Sequence, residues 1–247
     1  MDKDTQPGER IAKVMARCGV CSRRMAETWI TAGRVQVNGQ VLTTPAFVVT
    51  DTDEILIDGK PLPQKAETRL WLYHKAKGLV TTHSDPEGRL TVFDTLPPHL
   101  PRVISVGRLD QYSEGLLLLT NDGAFSRLLE LPRHQIPRTY HVRIFGHISA
   151  RDVQRLERGM VVDDVQYGPT KIRLLNTQGD NTWIEMTLWE GKNREIRKLM
   201  EAVGVQVNRL KRVAYGPFSL EDLEVGEVYE VPQAELTAFL KEMDAHS

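Results

Sequence analysis

Uninterrupted apolar runs in this chain stop at about four residues, as in Leu116 to Leu119, which is closed by Gly115 on one side and Thr120-Asn121-Asp122-Gly123 on the other. A run that short suits a buried strand. It falls far below the roughly 20 consecutive apolar residues that a membrane-spanning helix needs. The interior must therefore be built from short strands and amphipathic helices. Strands are expected at Leu70 to His74, Val103 to Val106, Leu116 to Thr120, Thr139 to Phe145, Lys171 to Leu175, Trp183 to Trp189, Val207 to Ala214 and Glu227 to Val231. Helices are expected at 123–130, 150–158, 193–203 and 232–243, with Asp122 and Asn193 opening two of them and Gly204 closing the third. The elements alternate without a regular βαβ rhythm, which implies an α+β fold with a substantial, mostly antiparallel mixed sheet.

The first sixty residues have a different texture. Ile11, Val14 and Met15 form one helical stripe; Met25, Trp29 and Ile30 form a second, with Ser22 placed to cap it. Val35-Gln-Val-Asn38-Gly39-Gln-Val-Leu42 then alternates about an Asn-Gly turn, a strong hairpin signal. Glu54 to Gly59 supplies another strand and turn, and the polar, two-proline segment Pro61 to Thr68 follows it. The expected organisation is a small domain over 9–60, a linker over 61–68 and a larger domain over 69–247, which 247 residues can support. Residues 1–9 lack the apolar core of a signal peptide, and two cysteines cannot form a disulfide framework. A soluble, cytoplasmic monomer without membrane association is the expectation.

Thirty-two Lys and Arg nearly balance thirty-three Asp and Glu, so no global basicity announces a nucleic-acid partner. The charge is nevertheless unevenly placed. Arg10 to Thr44 carries six cations, Arg23, Arg24 and Arg34 among them, against Glu27 alone. Gly191 to Arg212 carries seven, including Lys192, Arg194 and Arg197, against two acids, while Ser219 to Ser247 has eight acids against Lys241. One basic patch is commonly a solvated helix face; two such patches beside motifs point to a polyanion.

Several motifs lead nowhere. Cys18-Gly-Val-Cys21 is a solitary C-x-x-C without the second ligand pair that structural zinc needs, and without a thioredoxin-like context. The seven histidines show no metal spacing. Gly191-Lys192 resembles the end of a phosphate loop, but Met186 stands where its first glycine belongs and Asn193 where Ser or Thr would hold magnesium. No metal and no organic cofactor are expected.

The informative stretch is Gly107-Arg108-Leu109-Asp110-Gln-Tyr-Ser113-Glu-Gly115-Leu-Leu-Leu-Leu-Thr120-Asn121-Asp122-Gly123. On its residues alone, Asp110 reads first as a turn residue, with Arg108 beside it as a cation that favours the ionised carboxylate. The whole stretch, however, closely resembles the active-site signature of the S4-domain ribosomal RNA pseudouridine synthases, with Ser113 where that family usually has Thr. Further resemblances run along the chain: Ser22-Arg23-Arg24 and Gly33 to Gly39 in the first domain, His74-Lys75-Ala76-Lys77-Gly78 with Ala76 in place of a proline, Ser84 to Arg89, Arg138-Thr-Tyr140, and Glu190-Gly-Lys-Asn-Arg194-Glu-Ile-Arg197-Lys-Leu199-Met.

The resemblance implies a small S4-like RNA-binding domain followed by a larger pseudouridine-synthase-like catalytic domain. The implied reaction isomerises uridine to pseudouridine in ribosomal RNA, large-subunit RNA being favoured, on free RNA or an assembly intermediate. Asp110 is implied as the essential carboxylate, attacking C1′ or taking a proton from C2′; both routes stay open. Tyr140 is implied to pack on the target base and assist loss of its C5 proton, Arg197 to pair with Asp110, and Leu199 to wall the pocket. Arg108, Lys192 and Arg194 in one domain and Arg23, Arg24 and Arg34 in the other are expected to hold the RNA. Two readings compete. A non-catalytic ribosome-assembly factor on the same fold would have no need of Asp110, Tyr140 and Arg197 together, and an unrelated glycosidase would want a second acid with comparable motif support.

Overall fold

A computed structural model describes residues 8–245, so the amino-terminal segment read for a leader lies almost wholly outside the described residues. The chain divides into two compact units, Met1–Thr68 and Arg69–Ser247.

In the first unit, strand β1 (Glu9–Arg10) runs into helix α1 (Ile11–Arg17), and α2 (Arg23–Thr31) follows. Ser22 caps α2 by accepting the Met25 amide proton at 3.1 Å, as its place in the sequence predicts. Strands β2 (Val35–Val37), β3 (Gln40–Val41), β5 (Ile55–Ile57) and β6 (Lys60–Pro61) form an antiparallel sheet in the order β3-β2-β5-β6, and β4 (Val48–Val49) pairs with β1. The hairpin turns on Asn38 and Gly39, both at positive φ. Ile11, Met15, Ala26, Ile30, Val35 and Val37 are buried together as its core. That core reaches further along the chain than expected: Lys60–Pro61 is a strand and Leu62 packs against the cluster, so Pro61 belongs to a folded element.

The second unit is built on a nine-stranded mixed sheet. Its strands are β7 (Leu70–Lys75), β8 (Ile104–Ser105), β9 (Glu114–Thr120), β10 (Arg138–Phe145), β13 (Thr170–Gln178), β14 (Asn181–Leu188), β15 (Gln206–Tyr215), β16 (Phe218–Ser219) and β17 (Val228–Glu230). The main path is β13-β14-β10-β15-β9-β7-β17, with β16 beside β15 and β8 beside β9. Every pairing is antiparallel except β15 with β9, where Lys211 faces Glu114 and Arg212 faces Gly115. That one parallel contact lies at the centre of the sheet and brings two distant segments side by side. Helix α3 (Gly123–Glu130) is capped by Asp122, which accepts from the Ala124 and Phe125 amides. Helices α4 (Ala150–Arg158), α5 (Glu195–Ala202) and α6 (Gln233–Ala245) complete the unit.

Leu116 to Leu119 are fully buried and feed two different cores: Leu116 and Leu118 meet α3 and α6, while Leu117 and Leu119 meet Trp71, Tyr73 and Leu109. The sequence implies a buried strand here, and the structure buries it on both faces. A third core joins α4 and α5 to β10, β14 and β15 through Leu156, Ile196, Val142 and Ile184. Three features depart from expectation. The strand at Val103 to Val106 shrinks to Ile104–Ser105. An additional hairpin, β11 (Met160–Val162) and β12 (Val165–Tyr167), turns on Asp163 and Asp164, both at positive φ. Helix α5 begins at Glu195 instead of 193, because Arg194 adopts the left-handed conformation at its N-cap.

Candidate active site

Asp110 lies in the connection from β8 to β9, and that loop is fixed from several sides. The Lys75 side chain is fully buried at the end of β7, where its ammonium donates to the carbonyls of Ala76 (3.0 Å), Asp110 (3.2 Å) and Ser113 (2.8 Å). Burial pushes the Lys75 pKa down to about 8 even though the Asp110 and Glu114 carboxylates oppose the shift. Thr81 donates its hydroxyl to the Leu109 carbonyl at 2.8 Å, and the Ser113 amide closes a turn on the Asp110 carbonyl at 3.0 Å. With its backbone held this way, Asp110 presents a carboxylate that is 34% exposed.

That carboxylate opens onto a cleft of about 820 Å³. Gly107 to Asp110 form one wall, Tyr140, Leu188, Leu210 and Arg212 on adjacent strands form another, and Glu190 to Ile196 close a third side. Tyr140 on β10 has Met186 and Arg212 as its cross-strand partners, so all three point to the cleft side of the sheet.

The cation at ion-pair distance from Asp110 is Arg194, with Nη1 3.8 Å from Oδ2. The expected partner Arg197 makes no ion pair with it. Arg197 is half-buried on α5, donates Nη1 to the Val207 carbonyl at 3.2 Å, and has a buried Nε without a partner. Burial and neighbouring Arg194 depress its pKa, and the field of Asp110 works in the opposite sense. The reason for the exchange is local: the left-handed turn at Arg194 swings that side chain over the cleft, while Arg197 sits a helical turn further on, against β15. Arg108 lines the cleft but is exposed and forms no ion pair among the described residues. Leu199 does not wall the cleft. It is 1% exposed, packed in the α4–α5 core, and Leu188, Ile196 and Leu210 supply the apolar lining instead.

Three further residues escape sequence reasoning. Arg212 is buried, donates Nε to the Leu116 carbonyl at 2.7 Å, and leaves Nη2 without a partner beside the cleft. Arg138 is buried and ties together the carbonyls of Ile136, Trp189 and Leu129 and the Tyr215 hydroxyl. Glu195 is buried at the start of α5, accepting the Lys192 amide proton at 2.8 Å. Desolvation, aided by the nearby Glu190 carboxylate, raises its pKa to about 7. Arg138 and Arg212 meet their partners only through the fold, whereas those of Glu195 lie within five residues of it and only its burial is hidden from the sequence.

Lys192 points its ammonium at the Glu190 carboxylate and lies 5.6 Å from the centre of the Tyr167 ring, so its charge is already engaged. In the first unit Arg34 is similarly committed: it forms a two-point pair with Asp58 and lies 4.6 Å over the Trp29 ring. Arg23 and Arg24 are exposed on the first turn of α2 and make no ion pair among the described residues. Among the described residues no cluster of three His, Cys, Asp or Glu could hold a metal, and no helix is long and apolar enough to cross a membrane.

A cleft in which Arg108, Arg194 and Arg212 border the partly exposed Asp110 carboxylate suits an enzyme that handles a polyanion. Residues 69–202 match the family model described as RNA pseudouridylate synthase, and residues 9–55 match the S4 domain. The chain belongs to the RNA pseudouridylate synthase family; it is an isomerase whose substrate is RNA. An "Uncharacterized RNA pseudouridine synthase" of Rickettsia felis is 44% identical over 226 residues, covering 90% of this chain and 96% of that protein. "Ribosomal large subunit pseudouridine synthase B" of Yersinia pestis is 44% identical over 222 residues, covering 86% of this chain and 69% of that one. A crystal structure of a pseudouridylate synthase superposes with a TM-score of 0.67 at 26% identity, covering 92% of this chain and 98% of that chain.

Proposed function

We propose that this protein converts a particular uridine of large-subunit ribosomal RNA to pseudouridine in the cytoplasm, with Asp110 as the reacting carboxylate. The observation that carries the reading is the cleft itself, where Asp110, Tyr140, Arg194 and Arg212 meet although up to about a hundred residues separate them in sequence. The relatives named for the large ribosomal subunit support the choice of RNA.

In the reaction the N1–C1′ bond breaks, the freed uracil turns within the cleft, C5 bonds to C1′, the C5 proton leaves and N1 takes one up. The target has to leave its stack to expose C1′, and a cleft of this size accommodates an extruded nucleotide. Asp110 acts at the sugar, on C1′ or on the C2′ proton. Arg194 places a positive charge 3.8 Å from that carboxylate, and Arg197 adds a second cation within its electrostatic reach. Tyr140 packs on the uracil and assists removal of the C5 proton. Arg108, exposed on the cleft wall, is placed to take phosphate or carbonyl oxygens, and buried Arg212 adds positive charge to the adjoining wall. Arg23 and Arg24 provide phosphate contacts from the first unit. Mapping pseudouridines in ribosomal RNA from cells with and without the protein tests this directly. Loss of modification at one large-subunit uridine is expected; an unchanged map, or a change confined to small-subunit RNA, would contradict it.

A further inference from the structure

The basic stretch Gly191 to Arg212 is not one surface once folded. Lys192, Arg194 and Arg212 line the cleft, whereas Arg209 and Lys211 alternate with buried Leu210 and Arg212 along β15 and point to the opposite face of the sheet. Cross-strand register extends that opposite face over four strands. Arg173, Glu185, His141 and Lys211 form one row; Lys171 and Arg143 stand in the adjoining rows, Arg143 between Trp183 and Arg209. Helices α4 and α5 pack on the cleft side, through Leu156, Ile196, Leu199 and Met200, and the side chains of the outer face are exposed or half-buried.

The charge on this face is in surplus. Arg173 pairs with Glu185 at 3.1 Å and Arg209 with Glu114 at 2.6 Å, and His141 approaches Glu185 at 3.5 Å. Lys171, Arg143 and Lys211 have no ion-pair or hydrogen-bond partner among the described residues. Three unpaired cations spread across neighbouring strands, with half-buried Trp183 among them, suit a phosphate backbone.

We propose that this outer face is a second RNA-binding surface, which holds a segment of the substrate RNA through its phosphates while another segment enters the cleft. The inference rests on RNA being the substrate, but it concerns affinity for long RNA and not the chemistry. The test is a triple variant, Lys171→Gln with Arg143→Gln and Lys211→Gln, none of which belongs to the cleft. Its binding to transcribed large-subunit ribosomal RNA is titrated against salt, beside binding to a short hairpin. Each phosphate contact contributes about 0.7–0.9 to the slope of log affinity against log salt, so the slope should become shallower by about 2 to 3 units. Affinity for the long RNA should fall about tenfold or more at low salt, with thermal melting and hairpin binding unchanged. A control that removes three cations elsewhere (Arg151→Gln and Arg158→Gln on α4, Lys241→Gln on α6) should leave the slope nearer that of the parent. An unchanged slope would overturn the proposal, as would an equal effect of the control. Unchanged RNA binding with lost affinity for ribosomal particles would instead assign the face to a protein, and would equally overturn it. Failure of uridine isomerisation in the parent protein is read separately, by tritium release, and does not touch the binding result.

Discussion

At the residue scale the site separates into groups visible in a motif and groups visible only in space. Asp110 and Tyr140 sit in recognisable strings and face the same cleft. Arg197 and Leu199 sit in an equally recognisable string, yet the helix buries one and turns the other toward β15, because spacing along α5 does not say which side the cleft is on. Lys75, Arg138 and Arg212 were illegible as partners because the atoms they touch lie tens of residues away. Two predictions belong here. Tyr140→Phe keeps the ring and removes only the hydroxyl, so binding should persist while the single-turnover rate falls about 10²-fold, the usual scale for a lost acid–base group. A rate equal to that of the parent would leave Tyr140 a stacking role only. Glu195 makes the second. Its pKa rises on folding from an ordinary carboxyl value to about 7, so the folded state binds an extra proton between those limits. Stability must therefore decline as pH climbs from about 4.5 to about 7 and level off above that. Glu195→Gln keeps an oxygen for the Lys192 amide and abolishes the penalty, so its urea midpoint should exceed the parent's at pH 8 and approach it at pH 5. Parallel midpoints at both pH values would refute the assignment.

The elements themselves were largely readable from periodicity. Each expected strand of the larger unit has a counterpart, and Asp122 caps α3 where its sequence position implies. The additional β11–β12 hairpin escaped because its strands are three residues long and its turn is Asp-Asp instead of a glycine pair. The parallel pairing of β9 with β15 escaped for a different reason: no local pattern announces which strands meet across almost a hundred residues. Gly115 is its physical signature. The glycine lies at φ +105°, and a Cβ there would come 2.2 Å from the Arg212 carbonyl oxygen and 2.7 Å from its nitrogen. Backbone cannot retreat as a side-chain tip can. Gly115→Ala should thus destabilise the protein by about 3 kcal/mol, combining backbone strain with steric overlap. It should also displace the strand that follows Asp110 from Arg212 and lower activity in the fraction that stays folded. Urea denaturation measures the first effect; a loss below about 1 kcal/mol would mean that the two strands separate freely.

At the scale of the whole molecule, the chemistry is confined to one unit while RNA contacts are assigned to both. The candidate reacting residues all belong to Arg69–Ser247, whereas Arg23 and Arg24 belong to Met1–Thr68. Changing both arginines to Gln should weaken RNA binding and flatten its salt dependence by about 1.5 units. The single-turnover rate at saturating enzyme should stay within a factor of about two. A rate that falls even at saturation would show that the first unit orients the RNA as well as anchoring it. The sequence allowed this division to be drawn from charge and motif order, but it overstated Arg34, whose guanidinium is held by Asp58 and Trp29. Asp110 provides the most direct test of the central claim. Asp110→Asn preserves shape and removes both the nucleophile and the base, so the full-length variant should bind RNA about as tightly as the parent. Its release of tritium from C5-labelled uridine in ribosomal RNA should be undetectable. Tritium release within tenfold of the parent, at matched RNA occupancy, would contradict the account.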